Sequence, residues 1–187
     1  KYNPVAAQGQ ATNYCDYYWD LVVVNSTGEE YFDVYDIRRS TYPDESQVVD
    51  FLAMPETLNF VQASKFNALM NDDVYTQLVR LDWRVDTSPF LQPLLDAGLK
   101  VLAYNGNKDF ICNYISGDYW TSNTTWTGQA NFNKVTQYAD LGWGKVKQYN
   151  NFAFAIIDQA GHMVPMDQPE NAKLMLDWFI NSFVSTS

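Results

Sequence analysis

Residues 159–170, QAGHMVPMDQPE, hold His162, the only histidine among 187 residues. Earlier in the chain the turn YNGNKDF carries Asp109. An imidazole whose inner nitrogen faces a buried carboxylate has its tautomer fixed, and its outer nitrogen can then take a proton from a hydroxyl nucleophile. Each residue also has a plainer reading: a lone loop histidine serves as a surface or hydrogen-bonded structural group, and an aspartate in a GNKD turn as an Asx-turn or helix-cap residue. What raises the pair above those readings is where the neighbouring sequence places it.

LKVLAY before Asp109 and FAFAIID before His162 are short apolar runs suited to buried parallel strands. SPFLQPLLDAG precedes the first run as a helix ended by Gly98, and PENAKLMLDWFINSF follows the second as an amphipathic helix. Its stripe is Ala172, Leu176, Phe179 and Phe183. Both candidate residues therefore sit just past strand carboxyl ends, where open α/β sheets present reactive groups. Gly161 permits a tight turn before the histidine, and Pro165 and Pro169 restrict the loop after it.

The rest of the chain is read more coarsely. Residues 1–45 form an irregular, extended beginning in which YFDVYDIR alternates like a strand or crossover. From 46 to 187 the chain is one domain portion. SQVVDFLA and PETLNFVQA are consecutive short helices divided at Pro55, and residues 66–80 are mixed. ICNYISGDYW is a short helix, Asn123 sits in a polar loop, and the stretch ending GKVKQYN is hairpin material.

Composition excludes several classes of function. With 22 acidic against 12 basic residues and a formal charge of −10, phosphate backbones and anionic membranes are poor partners. No apolar run approaches the ~20 residues needed to span a bilayer. Two distant cysteines, Cys15 and Cys112, with one histidine give no zinc spacing, and no metal or cofactor is expected. Asn25 and Asn123 begin sequons that become glycosylation acceptors in a secretory pathway. The 47 % apolar content suffices for a core.

Chain order carries the reading further. In α/β hydrolases the acid lies on a loop after a late strand and the histidine after the last strand, before the final helix. Asp109 and His162 fit those two places. VLAYNGNKDFICN and AGHMVPMDQPENAKLMLDWFI, with VYDIR, VVDFLAMPETLNFVQA and PFLQPLLDAGLKVLAYNG upstream, resemble the carboxyl-terminal portion of serine carboxypeptidases of the yeast vacuolar and cathepsin A type. The resemblance runs from Asp33 to Phe183.

That resemblance implies a serine-type carboxypeptidase, with Asp109 as triad acid and His162 as base. Met163 borders the pocket for the departing residue or simply packs the loop. Cys112 is the unpaired cysteine near the substrate pocket or a buried small apolar residue, and Cys15 pairs with a cysteine outside this chain. No Gly-x-Ser-x-Gly elbow is present; Ser116, in YISGD, lacks the strand-elbow-helix context. The expected fold is therefore the carboxyl-terminal part of an α/β-hydrolase, its sheet completed by a heavy chain or segment that brings the nucleophilic serine. A light chain in a lysosomal, vacuolar or secreted setting suits this pattern. An acyltransferase of the same fold, or an inactive homologue acting as a binding or structural subunit, are the alternatives.

Overall fold

A computed structural model describes residues 33–81 and 85–184; Cys15 and Asn25 lie outside them. The described residues cluster into two compact units, 42–81 with Val85, and 33–41 with 86–184. The sequence divides the chain once, after residue 45, whereas residues 33–41 group with the later unit.

The first unit contains α1 (Ser46–Ala53), α2 (Pro55–Phe60) and α3 (Asp72–Leu81). Met54 is extended, at φ −60° and ψ 138°, because the residue before a proline is disfavoured in the helical region, and Pro55 then opens α2 at its first turn. The mixed stretch at 66–80 resolves into a loop followed by α3. Asn71 starts that helix by accepting the Val74 N–H at 3.0 Å, and Asp72 and Asp73 lie in its first turn, where the helix dipole favours negative charge.

The second unit is built on a four-stranded sheet in the order β1-β4-β3-β2. Its strands are β1 (Val101–Gly106), β2 (Ala139–Asp140), β3 (Lys145–Tyr149) and β4 (Phe152–Ile157). β1 and β4 are parallel, from Val101 opposite Phe152 to Gly106 opposite Ile157, so both strands end side by side. β3 pairs antiparallel with β4 and with β2, which is the hairpin material expected before Asn150. Among the described residues β1 stands at an edge of this partial sheet.

The alternation in FAFAII explains the layering. Side chains on a strand point to opposite faces in turn. Phe152 and Phe154 enter one core with Leu95, Trp126 and Phe132, while Ala153, Ala155 and Ile157 enter the other with Trp143, Val146, Val164 and Met175. The phenylalanine face is covered by α4 (Leu91–Asp96), α5 (Tyr114–Asn123) and α6 (Gln129–Phe132). Phe132 stacks on Phe152 at 5.1 Å. Small alanines on the opposite face leave room for α7 (Val164–Asp167) and α8 (Pro169–Trp178).

Several expectations are corrected here. β1 is half-buried rather than buried, with Tyr104 exposed. Met175, not Leu176, is the buried residue of α8, packing with Ala172, Trp178 and Phe179; Leu176 is 53 % exposed. The sheet face selects a stripe of period i, i+3, i+7 from a helix whose apolar residues permit more than one. Residues 179–184 continue as a π-helical turn. Asn123 is the last residue of α5 rather than part of a loop, and Asn113 caps that helix by accepting the Ser116 N–H at 2.9 Å. Asp33 to Thr41 is a series of turns, not a strand. Among the described residues no helix is long and apolar enough to cross a membrane.

Candidate active site

The parallel register of β1 and β4 fixes where their exits lie. Past β1 the chain turns through Asn107, whose side chain donates to Asp158 at 2.7 Å and accepts the Gln159 N–H at 2.9 Å. The backbone adds Asn107 N–H to Ile157 C=O at 3.0 Å and Lys108 N–H to Ala160 C=O at 2.8 Å. The two exit loops are thus laced together before either reaches its reactive residue.

Asp109 and His162 meet in this frame. His162 Nδ1 lies 2.9 Å from Asp109 Oδ2, and the other carboxylate oxygen accepts the Cys112 N–H at 3.1 Å. The Asp109 side chain is 2 % exposed and that of His162 37 %. Between an ionised carboxylate and a neutral imidazole, the carboxylate can only accept, which puts the ring proton on Nδ1 and makes Nε2 the acceptor. A buried acid orienting a half-open imidazole can pass a proton to and from a hydroxyl at its outer face.

A turn-rich strap, residues 33–39, lies against both loops. Val34 C=O accepts the Phe110 and Ile111 N–H groups at 3.1 Å each, and Ile37 N–H donates to Lys108 C=O at 2.9 Å. On the other side His162 N–H donates to Tyr35 C=O at 2.7 Å, and the Tyr35 ring sits 5.1 Å from the imidazole, tilted by 55°. The buried Asp36 receives Arg38 on both oxygens, at 2.9 and 2.6 Å. The Arg38 hydrogen bond is the main reason the Asp36 carboxyl is held below its ordinary pKa.

A pH dependence follows from that depression. The lowered folded pKa contributes stability that is fully present above the unfolded carboxyl value of about 3.9 and is lost as pH falls through the folded value. Urea denaturation of the parent and Asp36→Asn should therefore give a stability gap that is full at neutral pH and narrows below about pH 4. A gap unchanged down to pH ~2 removes Asp36 as its source.

Gly106, where β1 ends, has its own constraint. A Cβ there would collide with the backbone carbonyl oxygens of Ala160 and Gly161, directly before His162. Restoring ordinary C···O contact requires a shift on the order of 1 Å. Gly106→Ala is expected to cost about 1–3 kcal/mol in denaturation and to displace the imidazole from Asp109. A crystal structure of the variant with the 2.9 Å contact retained and stability unchanged contradicts that expectation.

Of the other candidate residues, Met163 directly follows the histidine and is 49 % exposed. Cys112 is a free cysteine, exposed rather than buried. Screening of its thiol from water, together with the Asp109 charge, pushes its pKa up. Although the sequence predicts no metal centre, donor atoms of Asp109, Cys112 and His162 lie within 4.8 Å of one another. Asn123 is exposed, its amide donating to Tyr119 C=O at 2.7 Å. The strap and Asn107 went unassigned at the sequence level. The spacing Asp33-x-x-Asp36 signals consecutive Asx turns, which the geometry contains as Tyr35 N–H and Arg38 N–H bonds to those carboxylates.

A parallel strand pair with an acid after one member and a histidine after its neighbour is the arrangement of α/β hydrolases. The serine carboxypeptidase family model matches residues 5–182, and this chain belongs to that family. Carboxypeptidase Y homolog A of Podospora anserina is 37 % identical over 141 residues, covering 71 % of this chain and 24 % of that protein. Serine carboxypeptidase-like 49 of Arabidopsis thaliana is 30 % identical over 181 residues, covering 91 % and 34 %. In fold, the chain resembles Kex1(delta)p, a prohormone-processing carboxypeptidase from Saccharomyces cerevisiae, with a TM-score of 0.62, 23 % identity, and coverage of 79 % of this chain and 36 % of that one. The chain thus spans about a quarter to a third of the length of these relatives.

Proposed function

We propose that this chain is part of a serine-type carboxypeptidase and supplies the acid and base of its triad to a serine carried by a segment outside it. The contact between His162 Nδ1 and buried Asp109 Oδ2 carries the reading. In this mechanism the serine hydroxyl attacks the carbonyl of the last peptide bond while His162 Nε2 takes its proton. The imidazolium, stabilised by Asp109, returns that proton to the departing amino acid and leaves an acyl-enzyme. Water then attacks, activated by the same nitrogen, and the shortened peptide is released. No cofactor is required.

Met163 and Cys112 flank the dyad in sequence and border the substrate in this proposal. A partner segment, heavy chain or preceding stretch, brings the serine and extends the sheet beyond β1. The family suits a lysosomal, vacuolar or secreted setting, in which Asn25 and Asn123 carry glycans and Cys15 is bridged to a cysteine outside the chain.

The test joins this chain with its serine-bearing segment and supplies a blocked dipeptide. Release of the free carboxyl-terminal amino acid, together with fluorophosphonate labelling of one serine, is the expected result. Transfer of the acyl group to an added alcohol or amine in preference to water identifies an acyltransferase instead. Absence of both release and labelling marks a non-catalytic homologue acting as a binding or structural subunit.

A further inference from the structure

We infer that the ion pair between Arg39 and Asp167 is a clasp that positions His162, making both of them positioning residues for the dyad; the inference rests on Asp109 and His162 acting as acid and base. Asp167, in α7, is 4 % exposed at its side chain and divides its carboxylate between two tasks. One oxygen accepts the N–H of Gly161, the residue before the histidine, at 2.7 Å. The other accepts Arg39 Nη2 from the strap at 2.8 Å. One side chain thus joins the histidine loop to the segment whose Tyr35 C=O holds the His162 N–H and whose Val34 C=O holds the chain just past Asp109.

The electrostatics favour a closed clasp. Arg39 Nε also lies 3.6 Å from Asp36 Oδ2 and its Nη1 4.0 Å from Asp33 Oδ2, and Arg38 Nη2 lies 3.9 Å from Asp167 Oδ2, so two guanidinium groups and three buried carboxylates form one network. A buried carboxylate that loses its cation is strongly unfavourable, and the loop relieves this by moving toward water. Gly161 leaves little slack, because a Cβ there would strike the Tyr35 carbonyl oxygen. The strap and the histidine loop are in backbone contact, and a displacement of one is transmitted to the imidazole.

Arg39→Gln, Asp167→Asn and the double variant test this, with Lys173→Gln as control at the exposed Lys173–Asp177 pair. Asp167→Asn keeps an acceptor for Gly161 and turns the oxygen that holds Arg39 into a donating amide, which opens the pair. In the enzyme joined to its serine segment, with only this chain isotopically labelled, the Nδ1 proton of its one imidazole, His162, gives a single NMR resonance that reports the bond to Asp109. Each single variant is expected to broaden or lose that resonance. In the enzyme joined to its serine segment, each should lower kcat about 10²-fold with KM held within about a factor of two. The double variant should be no worse than either single one, since both open the same clasp, and Lys173→Gln should match the parent.

An intact resonance with unchanged kcat in Arg39→Gln overturns the clasp. So do losses that add in the double variant, or that merely track a falling Tm. A parent enzyme, joined and folded, that lacks the bonded Nδ1 proton overturns the dyad itself, which separates the two failures.

Discussion

Replacing His162 by alanine is expected to lower kcat about 10⁶-fold and to abolish fluorophosphonate labelling of the serine in the assembled enzyme. The magnitude follows from the division of labour in a triad. Without a base the hydroxyl is a poor nucleophile, and this chain has no second imidazole to substitute. Stability should fall too, because among the described residues the Asp109 side chain then keeps only the Cys112 N–H as a partner; leaving a buried acceptor short of a bond costs about 1–3 kcal/mol. Denaturation in parallel with kinetics separates these effects, since a loss of that size leaves a native protein largely folded. Added imidazole offers a positive readout, for the ring removed from beside Tyr35 leaves a site in which a free imidazole can sit. Undiminished labelling of the variant removes His162 from the mechanism.

How much of this was legible in the sequence depends on whether the information resides in side-chain type or in backbone. The apolar runs LKVLAY and FAFAIID and the turn at NGNKD expose the strands, their exits and the residues just beyond them, since apolar runs and turn chemistry are side-chain properties. Asp109 and His162 could therefore be paired before any coordinates. The strap could not, because its grip runs through the carbonyls of Val34 and Tyr35 and the N–H of Ile37, groups that every residue type carries. Its alternating composition imitated a strand, while Asp33 and Asp36 were folding the backbone into turns by accepting N–H groups two residues on. Asp167 was hidden for a related reason. It reads as a polar residue before a proline-started helix, and its part in joining loop to strap comes from the Gly161 N–H on one oxygen and from Arg39, across 128 positions of sequence, on the other. Choosing Met175 over Leu176 as the buried residue of α8 likewise needed the sheet face, because both are apolar and the helix alone does not decide between them.

Asp109→Asn is the sharper probe of the dyad, because it changes charge and hydrogen-bonding direction while keeping volume. It is expected to lower kcat about 10⁴-fold, the loss seen when a protease triad aspartate becomes asparagine. The carbonyl of the introduced amide can still accept the Cys112 N–H and hold the turn, which places the amide nitrogen where Oδ2 faced His162. That nitrogen donates, so His162 Nδ1 must become the acceptor and the ring proton moves to Nε2. The outer nitrogen then presents a proton to the serine instead of a lone pair. The structure is intact and the tautomer is wrong. Nitrogen chemical shifts of the lone imidazole read this directly, with Nδ1 protonated in the parent and Nε2 protonated in the variant. Lost charge also removes the electrostatic support of the imidazolium, so the effect on kcat should exceed that on KM. A variant that keeps the parent tautomer and loses less than about tenfold in kcat excludes Asp109 as the triad acid.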